Sequence, residues 1–519
     1  MHKFGFLSIV PPLLTVVLAV YTRNVILALV LGIGCGSLIL TDFHVFDAIL
    51  NAVEAQVLSE ISRGTQAQVI LVIMVIGGFV KLLEVSGGAR AFARYMLTAV
   101  STPVKAQLLA WLSGLGIFFT DSGNSLIIGP LYRSVFEEFK LCKEKLAYIL
   151  DTTSSPVSIL VPFIGWGAYI MGLIEQAYEE VGLTENAFSV LVKVIPFQFY
   201  AFLALLSVPI VVLSRRDYGP MLTAQRKYLR DLAAQSSAGP AETPDGAAAQ
   251  PRERLEIFLA PLGVMLVLVI GLFIWHGTHD GVTSIHIRST LVIAYLSASI
   301  TCAVMMRHYY GIGLDKSLSV FVEGAEKLVY ISIVLVLAWS LSSVTNDLET
   351  AAYVSSLIGG AVPAELFPVL VFILGSVISL STGSSYGTFA ILMAIAVPVG
   401  SDLGASMYLT IAAVLSGGLI GDHISPISDT TVLASVGADC NHITHVTTQS
   451  AYAAVTGVVT AFAYTLAGYF ETPAVLIIAV LMLIVLFNVM LRYFGSDAAA
   501  VTASSAFEAS ATKALRQVP

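Results

Sequence analysis

The sequence predicts an all-α polytopic integral membrane protein arranged as two repeats. Three observations predict it: the composition, the recurrence of long apolar runs, and a matched polar interruption in each half. The 519 residues are 57% hydrophobic and 12% charged, with a mean hydropathy of +0.86, whereas an ordinary soluble domain carries roughly 25% charged residues. Apolar runs fall at residues 5–21, 24–41, 66–84, 104–119, 190–213, 257–275, 287–306, 327–345, 365–380, 446–470 and 472–492. Each is about long enough to approach or cross a ~30 Å hydrocarbon core. The runs are too long, and alternate too little, for strands of an outer-membrane barrel, so helices must satisfy the backbone. About eleven to thirteen membrane helices are expected, each broken one counted once.

In chain order, residues 1–213 read as a first membrane repeat. Its opening run follows Lys3, carries Pro11-Pro12 and has no small-x-small site before Thr22, so it reads as a retained helix rather than a removed signal. Gly32, Gly34 and Gly36 are spaced as helix contacts. Residues 214–256 carry seven Lys and Arg at their two ends around an Ala/Pro/Gly/Ser-rich middle, the composition of a flexible linker, and the basic ends place it on the cytoplasmic side. Residues 257–470 read as the second repeat, 471–495 as an extra C-terminal helix and 496–519 as a mobile tail. The net charge of −8 says little about topology, which follows the placement of Lys and Arg. Cys35, Cys142, Cys302 and Cys440 are scattered through apolar segments and read as small core residues.

The polar interruptions carry the chemistry. "FFTDSGNSLIIGPLY" (118–132) breaks an apolar run, and "DTTSSPVSILVPF" begins at Asp151, thirty residues after Asp121. In the second half "SLSTGSSYGTFAILM" (379–393) is followed, forty residues after Thr382, by "DHISPISDTT" from Asp422. Pro156 and Pro426 lack an N–H and tend to end a helix; Gly123 and Gly383 permit turns that other residues resist. An unwound backbone survives in a membrane only where it lines a cavity or binds something, as in transporters whose discontinuous helices meet near the midplane. Freed carbonyls, hydroxyls and carboxylates are hard oxygen ligands that suit Na⁺ or Li⁺. An ionised Asp at the bilayer centre costs at least ~2.5–3.5 kcal/mol. Burial favours its protonated form and a bound cation its ionised form, so one carboxyl can exchange a proton for a cation.

The candidate cation- and proton-binding residues are therefore Asp121, Asn124, Asp151, Thr382, Ser384, Ser385, Asp422, His423, Ser425, Ser428, Asp429 and Thr430, with Asp121, Asp151, Thr382, Asp422 and Asp429 as Na⁺ ligands. Asp429 also reads as a helix N-cap. Trp166, Tyr169 and Tyr386 read as packing or as the wall of an organic solute.

"GDHISPISDTTVLAS", "STGSSYGTFAI" and "EKLAYILDTTSSPVSIL" resemble signature segments of the NhaC family of sodium/proton antiporters, within the larger ion transporter superfamily. The resemblance runs over roughly residues 65–450 and is most specific in the second half. It implies two inverted repeats with paired re-entrant or broken helices, a homodimer, and an elevator-like movement of a transport domain. It also implies secondary transport driven by Na⁺ or H⁺ gradients in the cytoplasmic membrane. Inverted repeats with an odd number of spans would place the tail in the cytoplasm only through the extra helix. Where many relatives carry two adjacent acids before the first break, this chain has Thr120-Asp121, which leaves stoichiometry open.

The leading function is monovalent cation/proton antiport with no bound cofactor, lipid being the remaining partner and nucleic acid not expected. The alternative is a Na⁺- or H⁺-coupled carrier of a small carboxylate or amino acid. An intramembrane metallohydrolase using Asp439, Cys440, His442 and His445 with Asp422 and His423 is disfavoured because no recognised ligand spacing is present, so an enzyme is not expected.

Overall fold

In the computed structural model, residues 3–236, 254–279, 283–358 and 362–497 are described. Among them, nine helices are long and apolar enough to cross a membrane, or ten when the pair Ala187–Phe197 and Phe199–Ser214, bent by 45°, is taken as one broken span. Two more of the apolar runs make helices shorter than that test requires, Val25–Leu40 and Pro103–Gly116. The protein is a multi-span membrane protein, helical apart from one short two-stranded pairing among the described residues.

The breaks sit where polar residues interrupt the apolar runs. Helix Pro103–Gly116 ends at Ile117, and Thr120 starts helix Asp121–Glu138 by accepting the Gly123 N–H at 3.0 Å. The second half does the same: helix Phe367–Thr382 ends at Gly383 in the left-handed region (φ +63°), and Ser384 starts helix Ser385–Asp402 by accepting the Gly387 N–H at 3.2 Å. A second interrupted pair follows each. Lys143–Thr152 precedes the short helix Ser155–Ser158, and Met407–His423 precedes Asp429–Ala438.

Of the expected helix breakers, Gly383, Pro156 and Pro426 stand at breaks, whereas Gly123 lies in the first turn of its helix. The interruption is upstream, at residues 117–120, because the Thr120 side chain closes the new helix before Gly123 is reached. The glycine instead makes room, since a Cβ there would lie 2.6 Å from Glu84 Oε1 and from Thr120 Cγ2.

Close backbone approach joins the halves. A Cβ on Gly129 would fall on the Gly437 carbonyl, and one on Gly437 on the Ser125 carbonyl, so helices Asp121–Glu138 and Asp429–Ala438 meet backbone to backbone. Arg133 fastens this crossing: its Nε donates to Gly437 O at 2.7 Å and Nη2 to Val436 O at 2.5 Å, both at the C-terminal end of helix Asp429–Ala438. Gly375, Gly417 and Gly421 serve the contact between Phe367–Thr382 and Met407–His423 in the same way. Gly32 and Gly36 are helix contacts, against Thr15 and Val344, while Gly34 faces open space. The four cysteines are unpaired.

The segment expected to be one flexible linker is partly structured. Arg216–Tyr218 pairs antiparallel with Gly495–Asp497, and Gly219–Ser236 is a helix. The Ala/Pro-rich average hid a helical face in which Met221, Leu222, Gln225 and Leu229 are buried. Gln225 accepts the Cys142 N–H at 2.9 Å and donates to Lys140 O at 2.8 Å, while Lys145 and Asp217 form a buried ion pair at 2.5 Å. Residues 237–253, and the tail from 498 onward, lie outside the described residues.

Gly437→Val should cost about 1–3 kcal/mol of stability through overpacking against backbone that cannot give. Gly34→Val should stay within ~0.5 kcal/mol. Thermal denaturation of both variants in detergent checks the pair, and equal midpoints would contradict the crossing.

Candidate functional site

The helix breaks converge on a cavity of ≈460 Å³. One group of lining residues comes from the breaks themselves: Thr120, Asp121 and Ser122; Thr382, Gly383, Ser384, Ser385 and Tyr386; Asp422; and Asp429 with Thr430. The other comes from helix Gly64–Val85 and the segment 324–331, which supply Lys81, Glu84, Lys327 and Tyr330. Gly165 and Trp166 complete it.

Helix polarity sets the field in this space. The N-termini of Asp121–Glu138, Gly165–Glu180, Ser385–Asp402 and Asp429–Ala438 all reach the cavity. Such ends carry partial positive charge and favour ionised carboxylates in the first turn, where Asp121 and Asp429 stand. Asp121 Oδ1 accepts the Ser122 N–H at 2.6 Å, and Oδ2 accepts Trp166 Nε1–H at 3.0 Å. Asp429 is exposed toward the space, and its Oδ1 accepts the Thr430 N–H at 2.9 Å. Ser428 occupies the N-cap position, so Asp429 serves the helix start one residue further in.

Asp422 has the opposite setting. It lies at the C-terminal end of Met407–His423, is 4% exposed, and takes the Ser385 hydroxyl on Oδ2 at 2.8 Å. Its Oδ1 is buried and takes no hydrogen bond of good geometry among the described residues, although the Ser428 side chain stands beside the carboxyl. A carboxylate oxygen buried without a donor is costly unless a proton or cation joins it.

Of the twelve residues singled out in the sequence, Asp121, Thr382, Ser384, Ser385, Asp422, Asp429 and Thr430 line this cavity; Asn124, Asp151, His423, Ser425 and Ser428 do not. Asn124 Nδ2 donates to Thr153 O at 2.6 Å, tying one break to the next, and the Ser425 hydroxyl donates to Leu380 O at 2.8 Å. Ser428 lies 3.1 Å from the Thr430 hydroxyl.

Asp151 and His423 belong to a separate buried cluster. Gln449 Nε2 donates to Asp151 Oδ2 at 2.5 Å and also to the His423 carbonyl; His445 Nε2 lies 3.5 Å from the same Asp151 oxygen. Tyr200 Oη is 2.7 Å from His423 Nδ1. His445 was noted only as a metal candidate, and Gln449 and Tyr200 gave no sequence signal, being single polar groups in apolar helices. Lys81 and Glu84 did give one: two charges inside the run "FVKLLEV" are an intramembrane anomaly.

The metallohydrolase set does not assemble. Asp439 pairs with Lys143 at 2.6 Å, His442 sits between Ser435 and the Pro426 carbonyl, and His445 faces Asp151. No group of three or more His, Cys, Asp or Glu side chains is placed to hold a metal among the described residues.

A family model described as "Na+/H+ antiporter family" matches residues 157–469. The chain belongs to the Na⁺/H⁺ antiporter family. The matched span takes in Thr382 through Asp429, while Asp121, Asn124 and Asp151 precede it. An uncharacterised protein of Haemophilus influenzae is 32% identical over 480 residues, covering 89% of this chain and 91% of that one. The Na⁺/H⁺ antiporter NhaC of Alkalihalophilus pseudofirmus is 28% identical over 193 residues, covering 36% of this chain and 38% of its own. Among solved structures, the Alcanivorax borkumensis YdaH transporter superposes with a TM-score of 0.56 at 16% identity, covering 82% of this chain and 89% of that one, a likeness of fold.

Gln449→Leu removes the amide donor from Asp151 and from the His423 carbonyl. A stranded buried acceptor costs about 1–3 kcal/mol, so the thermal midpoint in detergent should fall; an unchanged midpoint would show that the cluster is not held by Gln449.

Proposed function

We propose that this family member is a monovalent cation/proton antiporter of the cytoplasmic membrane, with Asp422, Asp429 and Asp121 as the groups that hold the proton or the cation. The observation that carries the reading is the Asp422 carboxylate. It is buried beside the cavity, with one oxygen hydrogen-bonded to Ser385 and the other without a hydrogen bond of good geometry. In that setting a neutral carboxylic acid and a cation-neutralised carboxylate are the two affordable states, and an ionised, empty one is not. Replacing one by the other on opposite sides of the membrane is exchange.

Hydroxyls and carbonyls near Asp422 complete a hard-oxygen set. Thr382 ends one half-helix and Ser385 begins the next, so freed carbonyls and hydroxyls lie close to the acid. Na⁺ or Li⁺ suits such donors. Family membership and the NhaC relative support the same chemistry. Asp151 enters this scheme only indirectly, through Gln449 and the His423 backbone.

Alternating access follows if the halves on either side of 214–256 are inverted repeats, 1–213 and 257–470. In support, each half contains two successive interrupted segments that pack on one another. An elevator-like movement in a homodimer, with the linker and tail on the cytoplasmic side, completes the proposal.

In proteoliposomes carrying an internal pH dye, Na⁺ or Li⁺ should dissipate an imposed pH gradient. Asp422→Asn and Asp429→Asn, each folded by size-exclusion chromatography, should reduce that flux to the level of empty liposomes. Normal flux in either variant would remove that residue from the site. Competition also fixes the pH dependence: once the carboxyl is mostly protonated, the half-saturating Na⁺ concentration should rise about tenfold for each unit of falling pH.

A further inference from the structure

The cavity lies between two groups of helices, each cemented by close backbone approach. On the side of the breaks, Gly129 meets Gly437 and Gly375 meets Gly417. On the other side, a Cβ on Gly77 would lie 2.6 Å from the Gly324 carbonyl oxygen, one on Gly324 would fall on the Gly77 carbonyl, and one on Gly78 would lie 2.5 Å from the Phe321 ring. Helices Gly64–Val85 and Leu314–Glu326 therefore form one wall. Between helix Gly64–Val85 and the break residues that line the cavity, one hydrogen bond passes among the described residues: the Thr120 hydroxyl donates to Glu84 Oε1 at 3.1 Å.

That bond takes up the hydroxyl completely. Thr120 Oγ1 already accepts the Gly123 N–H at 3.0 Å and so starts helix Asp121–Glu138, and a hydroxyl has one proton to give. Glu84 receives it. Chained hydrogen bonds polarise one another, so an acceptor for the Thr120 proton makes Oγ1 a better acceptor for Gly123. Glu84 is itself oriented, with Lys81 Nζ 3.8 Å from its Oε2 and 3.3 Å from Glu323 Oε1. Gly123 keeps the approach open, since a Cβ there would lie 2.6 Å from Glu84 Oε1. An acid and a base inside a spanning helix are expensive. Pairing with Lys81 alone would answer that cost, yet the Glu84 carboxyl also reaches across to the first break.

Resting on the cation/proton reading above, we propose that Glu84 is a positioning residue of the ion site. Acting through Thr120, it fixes where helix Asp121–Glu138 begins against the wall, and so holds Asp121, the first residue of that helix, in the cavity. Asp121 then keeps Oδ1 on the Ser122 N–H and Oδ2 on Trp166. Glu84 touches neither the proton nor the cation in this role, and no covalent step is involved.

The test uses variants of the full-length protein. Glu84→Leu removes the acceptor and Glu84→Gln keeps an oxygen there; Thr120→Val removes the hydroxyl and Thr120→Ser keeps it. Lys81 retains Glu323 in each of them. In proteoliposomes, Glu84→Leu and Thr120→Val should each raise the half-saturating Na⁺ concentration for proton flux about tenfold, the loss of roughly one buried hydrogen bond. Glu84→Gln and Thr120→Ser should stay within about threefold of the wild type, a rescue that a general loss of packing would not show. The double variant Glu84→Leu/Thr120→Val should be no worse than either single, because both remove the same bond. Hydrogen–deuterium exchange over residues 118–128 reads the link without any transport: it should be faster in Glu84→Leu and unchanged in Glu84→Gln.

Wild-type half-saturation in Glu84→Leu overturns the inference, as does unchanged exchange over 118–128. Single effects that multiply in the double variant overturn it too, since the two residues would then act independently. Glu84→Gln as impaired as Glu84→Leu also overturns it, because charge rather than the hydrogen bond would be at work. If the wild type moves no protons with Na⁺ or Li⁺, the antiport reading fails, and faster exchange in Glu84→Leu would leave the positioning of Asp121 standing.

Discussion

Inside a bilayer every backbone N–H and C=O must find a partner within the protein, and this chain breaks several of its helices between apolar stretches. The breaks are therefore furnished with donors and acceptors from one another. Thr120 and Ser384 take up N–H groups of the helices that they start. Ser425 reaches the Leu380 carbonyl, His442 the Pro426 carbonyl, and Asn124 the Thr153 carbonyl. The first two bonds close a break locally, and the last three tie a break to another segment. The glycines supply the room: Gly129 against Gly437, and Gly421 against Ser376 and Leu380.

Function follows from the same device. Stopping a helix in the membrane exposes its end charges, and here four N-termini reach a single space while Thr382 and Asp422 bring C-terminal ends to it. Acids in the first turns, Asp121 and Asp429, are stabilised by the N-terminal field. Asp422 gains nothing of the kind and depends on Ser385 and on whatever joins its second oxygen. The site thus contains carboxylates at both kinds of helix end. The Asp151, His445 and Gln449 cluster stands apart from the cavity, but Gln449 holds the backbone carbonyl of His423, the residue that follows Asp422 in the chain.

Much of this was legible in the sequence, because membrane helices are announced by length and apolarity and their breaks by polar residues that lipid would not tolerate. The paired interruptions and seven of the lining residues were found in that way. Apolar runs such as 104–119 announce a helix but not where it stops, because the break at 117–120 ends it before the run does. The helix at 219–236 was missed because its buried face, Met221 to Leu229, is diluted by a basic and Ala-rich surround. Lys81 and Glu84 could have been found from their position inside an apolar run. Lys327 could not, since it sits at the junction of two helices where a charge is ordinary. Nor could Gln449 and Tyr200, whose importance lies in what they face across the fold.

The central claim is that a cavity carboxyl holds either a proton or a cation. The most direct measurement is proton release from purified protein in weakly buffered detergent solution as Na⁺ is added. The account predicts release that saturates with Na⁺ and grows smaller when the starting pH is high enough to have removed the proton already. Saturable Na⁺ binding with no proton release at any starting pH would contradict it.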